Sequence, residues 1–524
     1  MNIAERLFAQ AVAHPNTPAL IDFPRGKRRC LTFAEVELAS ARAAALLLKA
    51  RLQPGDSVLV LQPMSAELYI ALAAIFRLGL VAMFLDPGQG VQHIEQCCAL
   101  RRPQALVASD RAQLLRLVSP ALRLIRHKFV IGLPMPGATA WQDLDKLVPY
   151  SEIYACAPEA PALITFTSGS TGQPKAAQRS HQFLLSQHQV LVRSLGLAAG
   201  QVDLANMPIV LLSNLAEGVT SLIPPVDLRQ PGKIDPVPLA RLIQTEQVVS
   251  TVASPALLER LARYCILNGI RLPTLRRVFS GGAPVFPWLL EQLQQIAPLA
   301  EIYAVYGSTE AEPMAKIARS AIRADDMRAM RNGRGLLVGQ PVNEIQLRII
   351  PDQWGTALGA YHPAEFEALC CEAGTVGEIV VCGEHVLSSY LYGVGNNETK
   401  FSVDGQIWHR TGDAGYLDAH GRLWLLGRCA AQINDRHDIL YPFSVETAVS
   451  FQPEIRRSAL IVHNGRRLLM IEVPAKELSI ETLQKALGWA HIDEIRIYPH
   501  IPVDKRHNAK IDYPALRKLA AKDN

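Results

Sequence analysis

The sequence predicts an α/β fold: a large N-terminal α/β domain carrying a β subdomain, followed by a small α+β domain at the C-terminal end. Three features carry that expectation. Strand-like and helical runs alternate as far as Glu310, the texture turns to short β-like runs after about Gly339, and a hairpin, a helix and a strand close the chain.

In chain order, SVLVLQ, ALVASD and KFVIGLP interleave with the helical FAEVELASARAAALLLKA and SAELYIALAAIF. That rhythm belongs to repeated βαβ units and predicts a parallel sheet covered by helices. VVSTVASP, PALLERLARYCILNGI, RRVFSGGAP, LLEQLQQI and EIYAVYGSTE continue it. Their strands end in small or polar residues, where ligand sites of open α/β sheets lie. IQLRIIP, GEIVVCG and GRLWLLG, separated by Gly and Pro turns, predict the β subdomain over about 340–428. ALIVHNGRRLLMIEVP reads as a hairpin around Asn464-Gly465, then SIETLQKALGWA as a helix and EIRIYP as a strand. The expected division is an N-terminal domain over 1–428 and a C-terminal lid over 429–524.

A chain of 524 residues with 49% hydrophobic content is too long for one ordinary core and apolar enough to bury several. The formal charge of +5 comes without a long Lys/Arg block, which argues against a nucleic-acid partner. Nine cysteines without a CxxC pair suggest neither a zinc site nor a secreted disulfide framework, and fit a reducing cytoplasm. The start MNIAERLF carries Glu5 and Arg6 and does not read as a signal peptide. Leu68 to Leu85 approaches membrane-spanning length but contains Arg77 and Gly79. A buried helix over Ala66 to Arg77 and a buried strand over Val81 to Leu85 explain it without a membrane span.

The strongest local signal is ALITFTSGSTGQPKAAQRSH, in which a β-like run from Ala162 leads into a loop of small residues and then Lys175. Gly169 and Gly172 let backbone N–H groups approach oxyanions. Thr167, Ser168, Ser170 and Thr171 add hydroxyl donors, and Lys175 adds a compact positive charge. The spacing is not that of the nucleotide-hydrolase P-loop. A surface linker is the bland reading of such a composition, and the preceding strand and the closing Pro174-Lys175 weigh against it.

This segment resembles the signature of the acyl-adenylate-forming (AMP-dependent synthetase and ligase) superfamily, and further motifs extend the resemblance over nearly the whole chain. Ser280-Gly281-Gly282-Ala283-Pro284 resembles the segment that lies along adenine, although a strand-ending turn would use the same glycines. Tyr306-Gly307-Ser308-Thr309-Glu310 resembles the element whose aromatic ring stacks on adenine, whose threonine contacts the α-phosphate and whose glutamate binds magnesium. One carboxylate suffices there, because Mg²⁺ shares its oxygen ligands with substrate phosphates. Thr411-Gly412-Asp413 and Gly427-Arg428 imply that Asp413 takes the ribose hydroxyls and Arg428 the ribose or phosphate, where a turn would be the ordinary reading of Thr-Gly-Asp. Lys510 matches the family's C-terminal lysine, which bridges the acyl carboxylate and the α-phosphate, and lies where a snorkelling surface lysine is the ordinary alternative. The implied substrates are ATP with Mg²⁺ and a carboxylic acid, fatty or β-hydroxy fatty, with pyrophosphate released. A non-catalytic nucleotide-binding module is the rival class, and joint retention of Lys175, Glu310, Asp413 and Lys510 argues against it.

The chain departs from the common ligases at informative places. Ala431 occupies the acidic hinge position, His437 falls by ungapped reading on a glycine of the thioester-forming loop, and the ending reads Asn508-Ala509-Lys510. The string PVDKRHNAKI is similar to the C-terminal segment of the β-lactone synthetases of bacterial olefin biosynthesis, in which a β-hydroxyl attacks its own acyl-adenylate. A tethered nucleophile needs no thiol cofactor. The resemblance implies partners among other enzymes of an olefin or lipid pathway. A fatty acyl-CoA synthetase or fatty acyl-AMP ligase remains the alternative. Residues Ala205 to Gly218 form either part of an acyl pocket or an ordinary buried strand.

Overall fold

The computed structural model describes residues 2–168, 174–473, 478–503 and 510–522. The chain divides into two compact units. One comprises Met1–Pro225, Thr245–Thr251 and Glu384–Asn396, and the other comprises Val226–Gln244, Val252–Gly383 and Asn397–Asn524.

In the first unit, seven strands lie in the order Thr139–Ala140, His127–Ile131, Ala105–Ser109, Ser57–Leu61, Val81–Phe84, Pro161–Ser168 and Pro174–Ser180. Every pairing is parallel except the last, where Pro174–Ser180 turns back antiparallel on Pro161–Ser168. All five residues of Ser57–Leu61 are buried, which is why its sequence runs apolar without alternation. The helix Phe33–Lys49 begins at a capping box made by Thr32 and Glu35. The helix Ala66–Arg77 is buried along its whole length but for Glu67, and the Arg77 guanidinium donates to the Ser151 carbonyl at 2.9 Å and pairs with Glu37. The stretch Leu68 to Leu85 is thus an internal helix and strand whose one charge is partnered. No helix among the described residues is long and apolar enough to cross a membrane.

Four further strands of this unit are ordered Val202–Ala205, Thr220–Leu222, Pro18–Asp22 and Arg29–Thr32. Between the first two, the apolar run after Ala205 is a helix, Pro208–Glu217, and not a strand. Pro208 fits the first turn, where its missing N–H costs nothing, and Gly218 at φ 76 ends the helix in the left-handed conformation. These end signals overturn the buried-strand reading of the run.

In the second unit the strand order is Gln346–Ile350, Gly377–Cys382, Gln406–Leu417, Leu423–Arg428, Leu336–Pro341, Ala311–Ala318, Glu301–Ser308 and Arg277–Ser280. The C-terminal part adds a three-stranded sheet of Arg457–His463, Arg466–Glu472 and Glu494–Tyr498. Its hairpin turns at Asn464 and Gly465, both at positive φ (51° and 71°), as a two-residue turn between right-twisted strands requires. The helices Pro442–Val449, Ile480–Ala486 and Tyr513–Ala520 accompany this sheet. The architecture is therefore a large mixed α/β body with a smaller C-terminal α+β region.

Candidate active site

Thr309 and Glu310 are the two loop residues of a tight hairpin between Glu301–Ser308 and Ala311–Ala318, where Ser308 pairs with Ala311. The ladder shifts register between Tyr306 and Ser308. Gly307 sits at that irregularity with little room for a side chain, since a Cβ there would lie 3.1 Å from the Ala311 carbonyl oxygen. The Ser308 hydroxyl accepts the Glu310 N–H at 3.2 Å and holds the tip. The neighbouring parallel strand Arg277–Ser280 ends at Gly281, whose N–H donates to the Ala253 carbonyl at 3.3 Å. A Cβ on Gly281 would meet the Val305 carbonyl at 3.0 Å, so this glycine permits close approach to the strand that carries Tyr306. Gly282, at φ 81, turns the chain away through Ala283 and Pro284.

Thr411, Gly412 and Asp413 form a bulge within the long strand Gln406–Leu417 and not the turn their composition suggests. Val380 pairs with Arg410 and Glu378 with Ala414, so these three residues face Ile379 alone. The Thr411 hydroxyl donates to the Ile379 carbonyl at 2.8 Å and accepts the Asp413 N–H at 3.0 Å, replacing interrupted ladder bonds. Gly412 takes φ 68, and a Cβ there would stand 2.9 Å from the Trp354 ring. Such bulges re-aim a side chain beside a functional site. Here the re-aimed residue is Asp413. Its Oδ2 accepts the Tyr306 hydroxyl at 2.7 Å, and its Oδ1 lies 3.3 Å from Nε of Arg428, the residue paired with it across the strands. Arg428 also donates to the Thr411 carbonyl at 3.1 Å. Desolvation, with the Asp413 charge beside it, holds the Tyr306 hydroxyl well above its ordinary pKa, so it stays a proton donor.

Beneath this group, Arg410 and Glu378 form an ion pair with both side chains fully buried, at 2.6 Å. Burial pushes the Glu378 carboxyl upward against the opposing pull of Arg410. The Arg410 guanidinium also lies over the Trp354 ring, 5.3 Å from its centroid. Lys400 and His409 face each other across the adjoining hairpin and are both buried. Burial pushes the Lys400 amine down to about 7, with the Glu310 carboxylate opposing that shift. Burial and the Lys400 charge hold His409 neutral, down to about 3, and its Nδ1 lies 3.1 Å from the Thr399 carbonyl.

Lys175, in the first unit, pairs with Thr167 in the ladder and is 8% exposed. Its ammonium lies 5.8 Å from the Tyr390 ring centroid. Gly395, at φ 97, makes room for its stem, since a Cβ there would come within 2.6 Å of Lys175 Cδ. Gly169, Ser170, Thr171 and Gly172, with the side chain of Ser168, lie outside the described residues. Lys510 is exposed, just before the Ile511–Val503 bridge and the helix Tyr513–Ala520.

The structure thus brings Tyr306, Asp413 and Arg428 into direct contact and sets Thr309 and Glu310 on one tip. Residues that sequence reasoning missed are Tyr390 and Gly395 around Lys175, and Lys400 and His409 beside Glu310. The Gly393-Val394-Gly395 spacing is the one local signal that could have found the first pair, and His409 reads in the sequence only as the start of the element leading into Thr411-Gly412-Asp413, with no role of its own. The assignment of the loop glycine also shifts. In the hairpin Ile433–Asp435 and Asp438–Leu440 the left-handed residue is Asp438, at φ 79, and not His437. His437 instead stacks on His491, with ring centroids 4.5 Å apart, and its Nε2 accepts from Arg436 at 2.9 Å.

The profile of the AMP-binding enzyme family matches residues 7–391. An olefin β-lactone synthetase of Stenotrophomonas maltophilia is 32% identical over 519 residues, covering 94% of this chain and 91% of that protein. A second olefin β-lactone synthetase, of Xanthomonas campestris, is 31% identical over 521 residues with the same coverage. Among solved structures, the anthranilate CoA ligase AuaEII in complex with anthranoyl-AMP superposes at a TM-score of 0.82 with 19% identity, over 100% of this chain and 98% of that one. The amide bond synthetase McbA of Marinactinospora thermotolerans superposes at 0.79 with 21% identity, over 99% of each. The chain belongs to the AMP-binding enzyme family. It is an adenylate-forming ligase that uses ATP and takes a small-molecule acid.

Proposed function

We propose that this enzyme activates a β-hydroxy carboxylic acid as its acyl-adenylate and then closes it to a β-lactone. The observation that carries this reading is similarity over nearly the full length to two olefin β-lactone synthetases. Ala431 at the hinge adds support, since it departs from the acidic residue of thioester-forming ligases. In the first step a carboxylate oxygen attacks the α-phosphorus of ATP and pyrophosphate leaves. In the second, the β-hydroxyl oxygen attacks the acyl carbon, the bond from that carbon to the AMP oxygen breaks, and the hydroxyl proton goes to solvent. Tethering gives the hydroxyl a high effective concentration at the acyl carbon, which offsets ring strain.

In this reading Asp413 holds the ribose hydroxyls, with Tyr306 and Arg428 fixing its orientation. Gly281, Gly282, Ala283 and Pro284 line adenine, and Gly307 and Ser308 support the Thr309 contact with the α-phosphate. Thr167, Ser168, Gly169, Ser170, Thr171, Gly172 and Lys175 cradle the β- and γ-phosphates. Lys510 approaches the reacting carboxylate as residues 429–524 act as a lid. Glu310 would hold Mg²⁺. It is a single carboxylate, which suits a cation that brings most of its ligands as phosphate oxygens and water. When bound, that ion neutralises charge on the departing pyrophosphate. Nine cysteines, none of them in a disulfide, fit a reducing cytoplasm. Other enzymes of an olefin or lipid pathway would supply the acid and consume the lactone.

The test is pyrophosphate release with β-hydroxy and unsubstituted fatty acids, with and without coenzyme A. Turnover on the β-hydroxy acid without coenzyme A, and a stalled adenylate with the unsubstituted acid, are expected. Efficient acyl-CoA formation from the unsubstituted acid would overturn the reading in favour of a fatty acyl-CoA synthetase.

A further inference from the structure

The first unit carries an exposed apolar face that catalysis leaves unused. Leu114, Leu117, Val118, Leu124 and Leu133 are 51%, 76%, 57%, 83% and 60% exposed, and all fall within positions 114–133. Three adjoining segments present them. Leu114–Leu117 is a 3-10 helix, in which residues three apart stand one above the other, so Leu114 and Leu117 share a side. The neighbouring Gln113 is buried, with its Nε2 donating to the Phe129 carbonyl at 3.0 Å. In the helix Pro120–Leu124, Leu122 is fully buried and Arg123 and Leu124 face outward. The Leu133 turn is tied to the same place, since its N–H donates to Asp110 at 3.1 Å and the Pro136 carbonyl accepts from Arg116 at 3.2 Å.

The charged side chains of the segment itself have one sign. Positions 111–142 contain no Asp or Glu, but include Arg111, Arg116, Arg123, Arg126 and Lys128. Two carboxylates that contact this segment are engaged with its backbone and hydroxyl groups. Asp110 accepts the N–H groups of Arg111 and Leu133, and Glu95 accepts the Ser119 hydroxyl and the Ala121 N–H. Exposed aliphatic side chains interspersed with Arg and Lys in one segment, with no aromatic anchor among the exposed ones, match the chemistry of an interfacial lipid contact. A second copy is disfavoured, because a two-fold contact would set this basic face against itself.

We propose that the face formed by residues 111–133 docks the enzyme on an anionic lipid surface, with the leucines entering the headgroup boundary and the basic side chains pairing with lipid phosphates. This inference stands apart from the lactone reading and survives its failure.

The experiment is co-sedimentation of the full chain with vesicles of 70% phosphatidylcholine and 30% phosphatidylglycerol, and with pure phosphatidylcholine. The parent should bind the anionic vesicles and release in high salt. Leu117→Ser with Leu124→Ser should lower partitioning by about tenfold, and Arg123→Gln with Arg126→Gln by about thirtyfold on anionic vesicles only, reflecting lost insertion and lost charge respectively. Melting temperature should be unchanged in both variants, since the substituted side chains are exposed. Equal partitioning of parent and variants, or a parent that stays in the supernatant, overturns the proposal. So does a concentration-dependent self-association of the parent that the leucine variant loses, which would make the face a contact between copies.

Discussion

The Tyr306 hydroxyl donates to Asp413 Oδ2 at 2.7 Å, joining a hairpin of one β-sheet segment to a bulge in another. A hydrogen bond to a charged acceptor contributes about 1.5–3 kcal/mol, and about 1.4 kcal/mol is tenfold in an equilibrium constant. Tyr306→Phe keeps the ring and removes the donor. Its KM for ATP should rise about tenfold or more with little change in melting temperature. A KM within twofold of the parent would show that the bond does not position Asp413.

Asp413→Ala removes the carboxylate itself. ATP affinity should fall by about a hundredfold, while 2′,3′-dideoxy-ATP, which lacks both hydroxyls, should bind parent and variant alike, as expected when two charge-assisted bonds are lost. An equal loss for both nucleotides places the carboxylate away from the ribose.

The buried pair of Arg410 and Glu378 supports the strand that carries Asp413. Removing one partner leaves an uncompensated buried charge, which costs about 3–5 kcal/mol. Glu378→Ala should lower the unfolding free energy by that amount, read as a lower urea midpoint, and Glu378→Gln, which keeps hydrogen-bond acceptance, should lower it by less. Identical midpoints for Glu378→Ala and the parent are incompatible with this role.

Glu446 links stability to pH. Its carboxylate accepts the Tyr513 hydroxyl at 2.6 Å, and burial pushes it from an ordinary 4.5 up to about 7. Between those values the folded chain holds a proton that the unfolded chain has released, so this group's contribution to stability is full below about 4.5 and is lost as pH rises toward 7. Glu446→Gln keeps one acceptor oxygen, enough for the Tyr513 hydroxyl and the Leu460 N–H that both meet Oε1, and carries no charge. It should melt higher than the parent at pH 8, by up to about 3 kcal/mol of stability, and converge with it near pH 5. A gap between them that does not change with pH removes this explanation.

The fold was legible where periodicity and punctuation agree. The alternating strands and helices, the Asn464-Gly465 hairpin and the internal helix before Val81 follow from local residue patterns. The run after Ala205 reads as part of an acyl pocket or as a buried strand when its apolar content is weighed without its Pro208 and Gly218 end signals, which mark a helix. At the candidate site, sequence identified Tyr306, Asp413 and Arg428 but not their contact, since 107 positions separate Tyr306 from Asp413. Gly412 looked like a turn residue because positive φ serves turns and bulges alike, and only the strand pairing distinguishes them. Counting without gaps assigned the loop glycine to His437, whereas the backbone turns at Asp438. His409 belongs to the element that leads into Thr411-Gly412-Asp413, but its meeting with Lys400 left no trace in the sequence because cross-strand pairing brings the two together.

Lactone closure is tested most directly by oxygen tracing. The enzyme is given ATP, no coenzyme A and a β-hydroxy acid labelled with ¹⁸O in the hydroxyl alone, and the products are weighed by mass spectrometry. The account predicts a product lighter than the acid by one water that retains the label, together with unlabelled AMP. Label lost from the organic product, or an acid recovered unchanged in mass while AMP accumulates, would contradict it.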